Sequence, residues 1–176
     1  MATSAMETIY DSHGEALDIL GQDFLAFDLA GRAYGVDYAA VEEIRRFEAG
    51  MITGIQGAPA FVRGAGYIAG RHVPVLDLAS RLGQPPVDAR SQARIIFLTL
   101  HGQLLGLLVD QVAGVTIQQA DDISPPPAAD PVMPAAVIQG VGTHHNQPLV
   151  LVSLEQLIPS DEAARLCESA SQAKFA

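Results

Sequence analysis

The chain has 176 residues, of which 49% are hydrophobic and 17% charged. That excludes global disorder and allows one domain, or at most two small ones, to fold without a metal or a disulfide. Ten basic residues stand against 20 acidic ones, for a net charge of -10, the opposite of the balance that nucleic acid or an anionic membrane surface attracts.

The first basic residue is Arg32, so there is no positively charged start to an export signal. Residues 1–22 read as a flexible acidic tail carrying Glu7, Asp11, Glu15 and Asp18, with one helical turn around Ala16–Leu20. No apolar run approaches the roughly 20 residues that span a bilayer. The single cysteine, Cys167, has no internal disulfide partner and suits a reducing cytosol. The expected location is cytoplasmic.

From Phe24 the chain repeats itself. Phe24–Val36 and Ile95–Leu107 share one pattern 71 residues apart, with Gly31 matching Gly102, Gly35 matching Gly106 and Leu29 matching Leu100. Each segment reads as strand, Gly-containing turn, strand, because a tight hairpin loop puts a residue at positive φ. Val41 and Ile44 match Val112 and Val115. The spacing of Val36, Ala40, Val41, Ile44 and Phe47 also fits a helix, but the repeat partner 107–115 looks like strand, so strand broken near Tyr38–Ala40 is expected. Val73–Leu78 then resembles Leu149–Leu154, each an apolar strand entering a short helix, at Ala79–Leu82 and Glu155–Ile158. The pattern implies two similar β-rich halves, about 24–92 and 93–158, joined through the polar connector Gln84–Ala93. Five prolines between Pro125 and Pro134 exclude helix or central strand there. After Pro159, Ser160 reads as an N-cap with Asp161 and Glu162 in the first turn, so residues 160–176 form a terminal helix and tail.

The search for catalytic chemistry is negative. His144 and His145 are adjacent, which on a strand sends the rings to opposite faces and away from a shared metal. Gly64-Ala-Gly66-Tyr-Ile-Ala-Gly70 is followed by a strand, not by a Lys-Ser/Thr and a helix, and so reads as a turn or bulge and not a phosphate loop. An aspartic dyad across the repeat fails, because Asp28, Asp37 and Asp77 match Thr99, Leu108 and Ser153. Neither Ser80 nor Ser153 sits in a nucleophile elbow. The residues point to a binding module, with an enzyme or a small-ligand barrel as the distant alternative.

Several motifs together carry a resemblance. They are Tyr34-Gly-Val-Asp, Val41-Glu-Glu-Ile-Arg45, Pro59-Ala-Phe-Val-Arg-Gly64, Val73-Pro-Val-Leu-Asp-Leu78, Gly106-Leu-Leu-Val-Asp-Gln-Val112, Ile123-Ser-Pro-Pro, Ile138-Gln-Gly-Val-Gly142 and Leu149–Leu157. In this order and spacing the chain resembles the CheW family of chemotaxis coupling proteins over about residues 23 to 158. The resemblance implies a mainly β fold of two SH3-like five-stranded β-barrels packed side by side, with short helices and a C-terminal helix, and a CheW-like domain over 23–159. It implies a non-catalytic scaffold without cofactor, located at receptor arrays. Its partners would be the cytoplasmic tip of methyl-accepting chemoreceptors and the regulatory domain of the histidine kinase CheA. The alternative is the same adaptor role in a non-flagellar system, such as pilus motility or second-messenger control.

By the same resemblance the partner-facing residues are Val41, Glu43, Gly64, Ile68, Ala69 and Gly70. Val41 and Ile68 could equally be core. Many family members carry Leu-Arg-Gly where this chain has Ile68-Ala69-Gly70. Arg71 is expected to take part of the missing arginine's role, because residues two apart on an extended segment share a face.

Overall fold

Four two-residue turns organise the chain. Ala30–Gly31, Ala69–Gly70, His101–Gly102 and His145–Asn146 all have both residues at positive φ, between 51° and 82°. This is the geometry whose twist matches paired strands, and it closes four antiparallel hairpins. In each, the residues flanking the turn pair directly: Leu29 with Arg32, Ile68 with Arg71, Leu100 with Gln103 and His144 with Gln147.

The computed structural model describes residues 9–10, 16–17, 21–88 and 92–172. Strands β1 (Ile9–Tyr10) and β2 (Ala16–Leu17) pair antiparallel, so the helical turn expected from Ala16 is strand at its first two residues. The rest of that expectation lies outside the described residues. The body begins with β3 (Gln22–Leu29) and β4 (Arg32–Asp37). A single 3-10 turn at Tyr38–Ala40, capped by the Asp37 carboxylate accepting from the Ala39 N–H, separates β4 from β5 (Val41–Arg46). The strand reading of this stretch holds, with its break where the sequence placed it.

There follow β6 (Val62–Ile68), β7 (Arg71–Asp77) and the short helix α1 (Leu78–Arg81). The second repeat supplies β8 (Arg94–Leu100), β9 (Gln103–Val109), β10 (Gln111–Gln118), β11 (Ile138–His144), β12 (Gln147–Val152) and α2 (Leu154–Leu157). Both short helices start one residue earlier than expected. The terminal helix α3 (Ser160–Ser171) is capped by Pro159, so Ser160 is its first residue and not its N-cap.

The strands form two five-stranded sheets, ordered β10-β3-β4-β12-β11 and β5-β8-β9-β7-β6. This is the mainly β, two-sheet architecture expected, although among the described residues the hydrogen-bonded order of each sheet stays open and does not close into a full barrel. The two repeats do not each fold on themselves. The hairpin β3–β4 is spliced between β10 and β12 of the second repeat, and β8–β9 between β5 and β7 of the first. The splices are antiparallel at β10–β3 and β5–β8 and parallel at β4–β12 and β7–β9. The internal symmetry survives the exchange. Leu151 beside Gly35 in one sheet reproduces Val75 beside Gly106 in the other.

Splicing buries β3 and β12 on both faces. Leu25, Phe27, Leu29, Val150 and Val152 join the main core shared by both sheets, while Phe24, Ala26, Leu149 and Leu151 form a smaller cluster. Phe24, Leu29, Val75, Leu76, Phe97, Leu100, Leu107, Val109, Val150 and Val152 are buried, at roughly 1.5–3 kcal/mol each. Phe61 is only half-buried; it precedes β6, with the Arg81 guanidinium 5.3 Å above its ring.

Polar anchors hold the loops. The Asp130 carboxylate accepts both Arg32 guanidinium nitrogens, at 2.9 and 2.8 Å, and the N–H groups of Val132 and Met133. Its side chain is 6% exposed, and the bonds from Arg32 hold its carboxyl far below the usual carboxylate range. This one residue ties the proline-rich loop to β4.

Two variants test this account. A Cβ on Gly64, at φ +147°, would lie 2.4 Å from the Thr53 carbonyl oxygen, where the chain crosses β6 in an isolated bridge. Gly64→Ala should therefore cost about 2–4 kcal/mol in urea unfolding, against about 1 kcal/mol for Gly31→Ala, whose φ is also positive but whose surroundings are open. Asp130→Asn should cost about 2–3 kcal/mol at pH 7. Because the folded carboxyl is the stronger acid, that contribution is complete above the unfolded value near 4 and fades as pH falls below it. The gap between parent and variant should then narrow on acidification from about pH 4 downward.

Candidate partner-binding surface

The β6–β7 hairpin is set by its turn. Ile68 ends β6 as a core residue, 4% exposed. The chain then reverses through Ala69 at φ +52° and Gly70 at φ +74°, both exposed, and Arg71 opens β7 on the surface. Alanine in the left-handed region costs about 1–2 kcal/mol, which glycine avoids. Ala69 is thus a turn residue and not part of an extended run, so it and Arg71 do not share a strand face. The geometric premise for Arg71 standing in for a residue at position 69 fails.

Arg71 instead lines a groove of about 520 Å³ between the start of β7, the start of β9 and helix α3, with Leu104, Cys167 and Glu168 among its walls. Helix α3 lies here because Ala163, Leu166 and Ala170 share its buried face. Cys167 is half-buried, its thiol 3.5 Å from the Leu104 carbonyl oxygen it donates to. Burial pushes that thiol up, and the Arg71 charge opposes the shift.

Val41 and Glu43 sit on β5, the edge strand at the other side of the same sheet. Val41 lies opposite Leu98, and Leu98 opposite Leu105, so Val41 stands near the sheet end that carries the 69–70 turn. Two strands, β8 and β9, lie between β5 and β7, at about 4.8 Å per strand spacing. Val41 is half-buried against the core, with a bulge between it and Glu43. The Glu43 carboxylate accepts from Arg45 Nε, two residues on and on the same face.

The seven expected residues therefore divide. Ala69, Gly70 and Arg71 form one exposed turn. Val41 and Glu43 lie across the sheet at the same end. Ile68 and Gly64 are interior, and Gly64 answers to the close approach of Thr53. Sequence reasoning missed the exposed Tyr38, Ile44 and Tyr67. Ile44 had been placed with the apolar spacing of a buried face, but edge-strand alternation turns it outward. Its repeat equivalent, Val115 on the edge strand β10, is exposed in the same way, as is Ile117.

Among the described residues no group of three or more His, Cys, Asp or Glu side chains could hold a metal. The His144 and His145 rings meet at 4.0 Å, contrary to the expectation of opposite faces, because His145 belongs to a turn. Ala69→Asn, which tolerates positive φ better, should raise stability by about 0.5–1 kcal/mol, read as a higher melting temperature with an unchanged circular-dichroism spectrum.

Comparisons with known proteins identify the fold's relatives. Residues 23–162 match the family model described as CheW-like domain. The chain is 31% identical over 147 residues to the chemotaxis protein CheW of Klebsiella aerogenes, covering 84% of this chain and 87% of that protein. It is 28% identical over 131 residues to the protein PilI of Pseudomonas aeruginosa, covering 73% and 71%. The crystal structure of the scaffolding protein TtCheW from Thermoanaerobacter tengcongensis superposes with a TM-score of 0.71 at 28% identity, covering 81% of this chain and 95% of that one. A family match that begins at the start of β3 and ends inside α3 takes in both sheets and all four hairpins, and the chain belongs to the CheW-like family.

Proposed function

We propose that this chain is a non-catalytic scaffold that couples methyl-accepting chemoreceptors to the histidine kinase CheA in chemotaxis signal transduction. The carrying observation is the family match over residues 23–162, which takes in both sheets. The scaffold acts by stoichiometric binding, not turnover. Two sheets sharing one core form a stiff body, and their edge strands and turns present small apolar and charged patches suited to helical and β partners.

The face proposed to meet receptor and kinase comprises the exposed turn Ala69–Arg71 together with Val41 and Glu43, with Gly64 and Ile68 supporting it from inside. Where many relatives carry an arginine, this chain presents a methyl group at the turn and a guanidinium at the mouth of the α3 groove. Its electrostatic contact with a partner is therefore displaced toward α3. The proposed location is cytoplasmic, at membrane-associated receptor arrays; no helix among the described residues is long and apolar enough to cross a membrane. The likeness to PilI supports a second reading, the same adaptor role in a non-flagellar chemosensory system.

Co-sedimentation with a receptor cytoplasmic fragment and CheA tests the proposal. The parent chain should join the complex and change CheA autophosphorylation. Glu43→Lys and Arg71→Glu, both at exposed or half-exposed positions, should each weaken assembly about ten-fold. Failure of the parent to join either partner sinks the adaptor role. Full binding by both variants moves the interface elsewhere. A kinase of a non-flagellar system that binds in preference to the flagellar one selects the second reading.

A further inference from the structure

The repeat creates two equivalent positions, beside the ends of β7 and β12, and among the described residues the chain fills only the first. On the first-repeat side the occupant is Val87, in the connector after α1, and it is 3% exposed. Its N–H donates to the buried Asp77 carboxylate at 3.0 Å, and its carbonyl accepts from the Arg63 guanidinium at 2.9 Å. An extended segment is thus gripped by its backbone on both sides while its side chain enters the core.

The repeat maps Asp77 onto Ser153 and Arg63 onto Gln139, 76 residues on in each case, and the matching ladders fix this register. Ser153 and Gln139 line an open cleft of about 160 Å³. Its apolar walls are Val36, Leu98, Leu100 and Val152, the equivalents of Leu107, Phe27, Leu29 and Leu76. Among the described residues the chain does not fill this cleft the same way. After α2 it turns at Pro159 into α3, which packs on β7 and β9 instead.

We propose that this cleft receives an extended segment of a partner protein, presenting one Val-sized apolar side chain flanked by a basic residue. The filled cleft is the template for the first part. A neutral hydroxyl and a neutral amide replace the Asp77 and Arg63 grips, and can still bond one backbone N–H and one carbonyl. The flanking charge follows from the rim, where Asp37 and Glu155 stand in place of Leu108 and Ala79. The filled cleft needs no such complementarity, since its grips carry both charges themselves. The proposal is independent of the hairpin face, because Ala69, Gly70 and Arg71 do not line this cleft.

The test uses a blocked peptide copying the connector, residues 83–90, with Asp88→Lys, titrated into the isotope-labelled full chain and followed by amide chemical shifts. Saturable shifts should centre on Val36–Ala40, Leu98–Leu100 and Ser153–Glu155, with a Kd of about 1 mM. The same peptide with Val87→Asp should lose binding at least ten-fold, and the peptide keeping Asp88 should bind several-fold more weakly. Filling the cleft with Ala40→Leu, in a protein whose melting temperature shows it folded, should abolish the shifts. The proposal is overturned if no saturable shifts occur by 10 Kd (~10 mM), if they centre elsewhere, if the Val87→Asp peptide binds equally, or if the folded Ala40→Leu protein binds unchanged.

Discussion

The parallel pairings β4–β12 and β7–β9 are the constraint on which the rest depends. Parallel neighbours cannot be joined by a tight turn, so each of these contacts brings together residues more than 25 apart in sequence. They splice a hairpin of one repeat into a sheet of the other. Neither repeat then has a complete sheet of its own, and the core is a joint product. Leu25, Phe27 and Val150 from one sheet and Val75, Phe97 and Leu107 from the other belong to the same apolar cluster. One loop anchor obeys the same logic, since the Arg32–Asp130 pair spans the two repeats.

That architecture suits a scaffold. A body whose halves cannot separate holds its surface features in fixed relation, which an adaptor needs if it is to bind two partners at set angles. The edges remain available. β5 and β10 are equivalent edge strands, and both turn apolar side chains outward, Ile44 on one and Val115 and Ile117 on the other. Soluble proteins usually protect such edges. Here the exposed apolar residues are interspersed with Glu42, Glu43, Arg45 and Arg46 on β5, which keeps the edge soluble while leaving contacts for a partner.

Much of the fold was legible because the signal was local. Gly31 and Gly102 marked hairpins because the turn type demands positive φ, and Gly35 and Gly106 marked the same strand position twice. The break at Tyr38–Ala40 followed from comparing one repeat with the other. The exchange of hairpins was not legible, since a 71-residue offset says that two segments are alike and not which sheet each joins. Alternation could not help either, because β3, β8 and β12 are buried on both faces and read as continuous apolar runs. The proposed partner-facing surface was legible only in part. Ala69 looked like strand because nothing in its side chain announces the left-handed region, and the close approach of the Thr53 backbone to Gly64 has no local sequence signal. Asp77, rejected as half of an aspartic dyad, proved to be a cap and a loop anchor.

The interleaving of the repeats is tested most directly by expressing residues 21–90 and 91–172 as separate chains and recording urea unfolding of each alone and of the mixture. Interleaved sheets predict no cooperative transition for either fragment, and a cooperative transition with native-like circular dichroism when the two are mixed. A cooperative, native-like transition in either fragment alone would show that a repeat completes its own sheet, and would contradict the account.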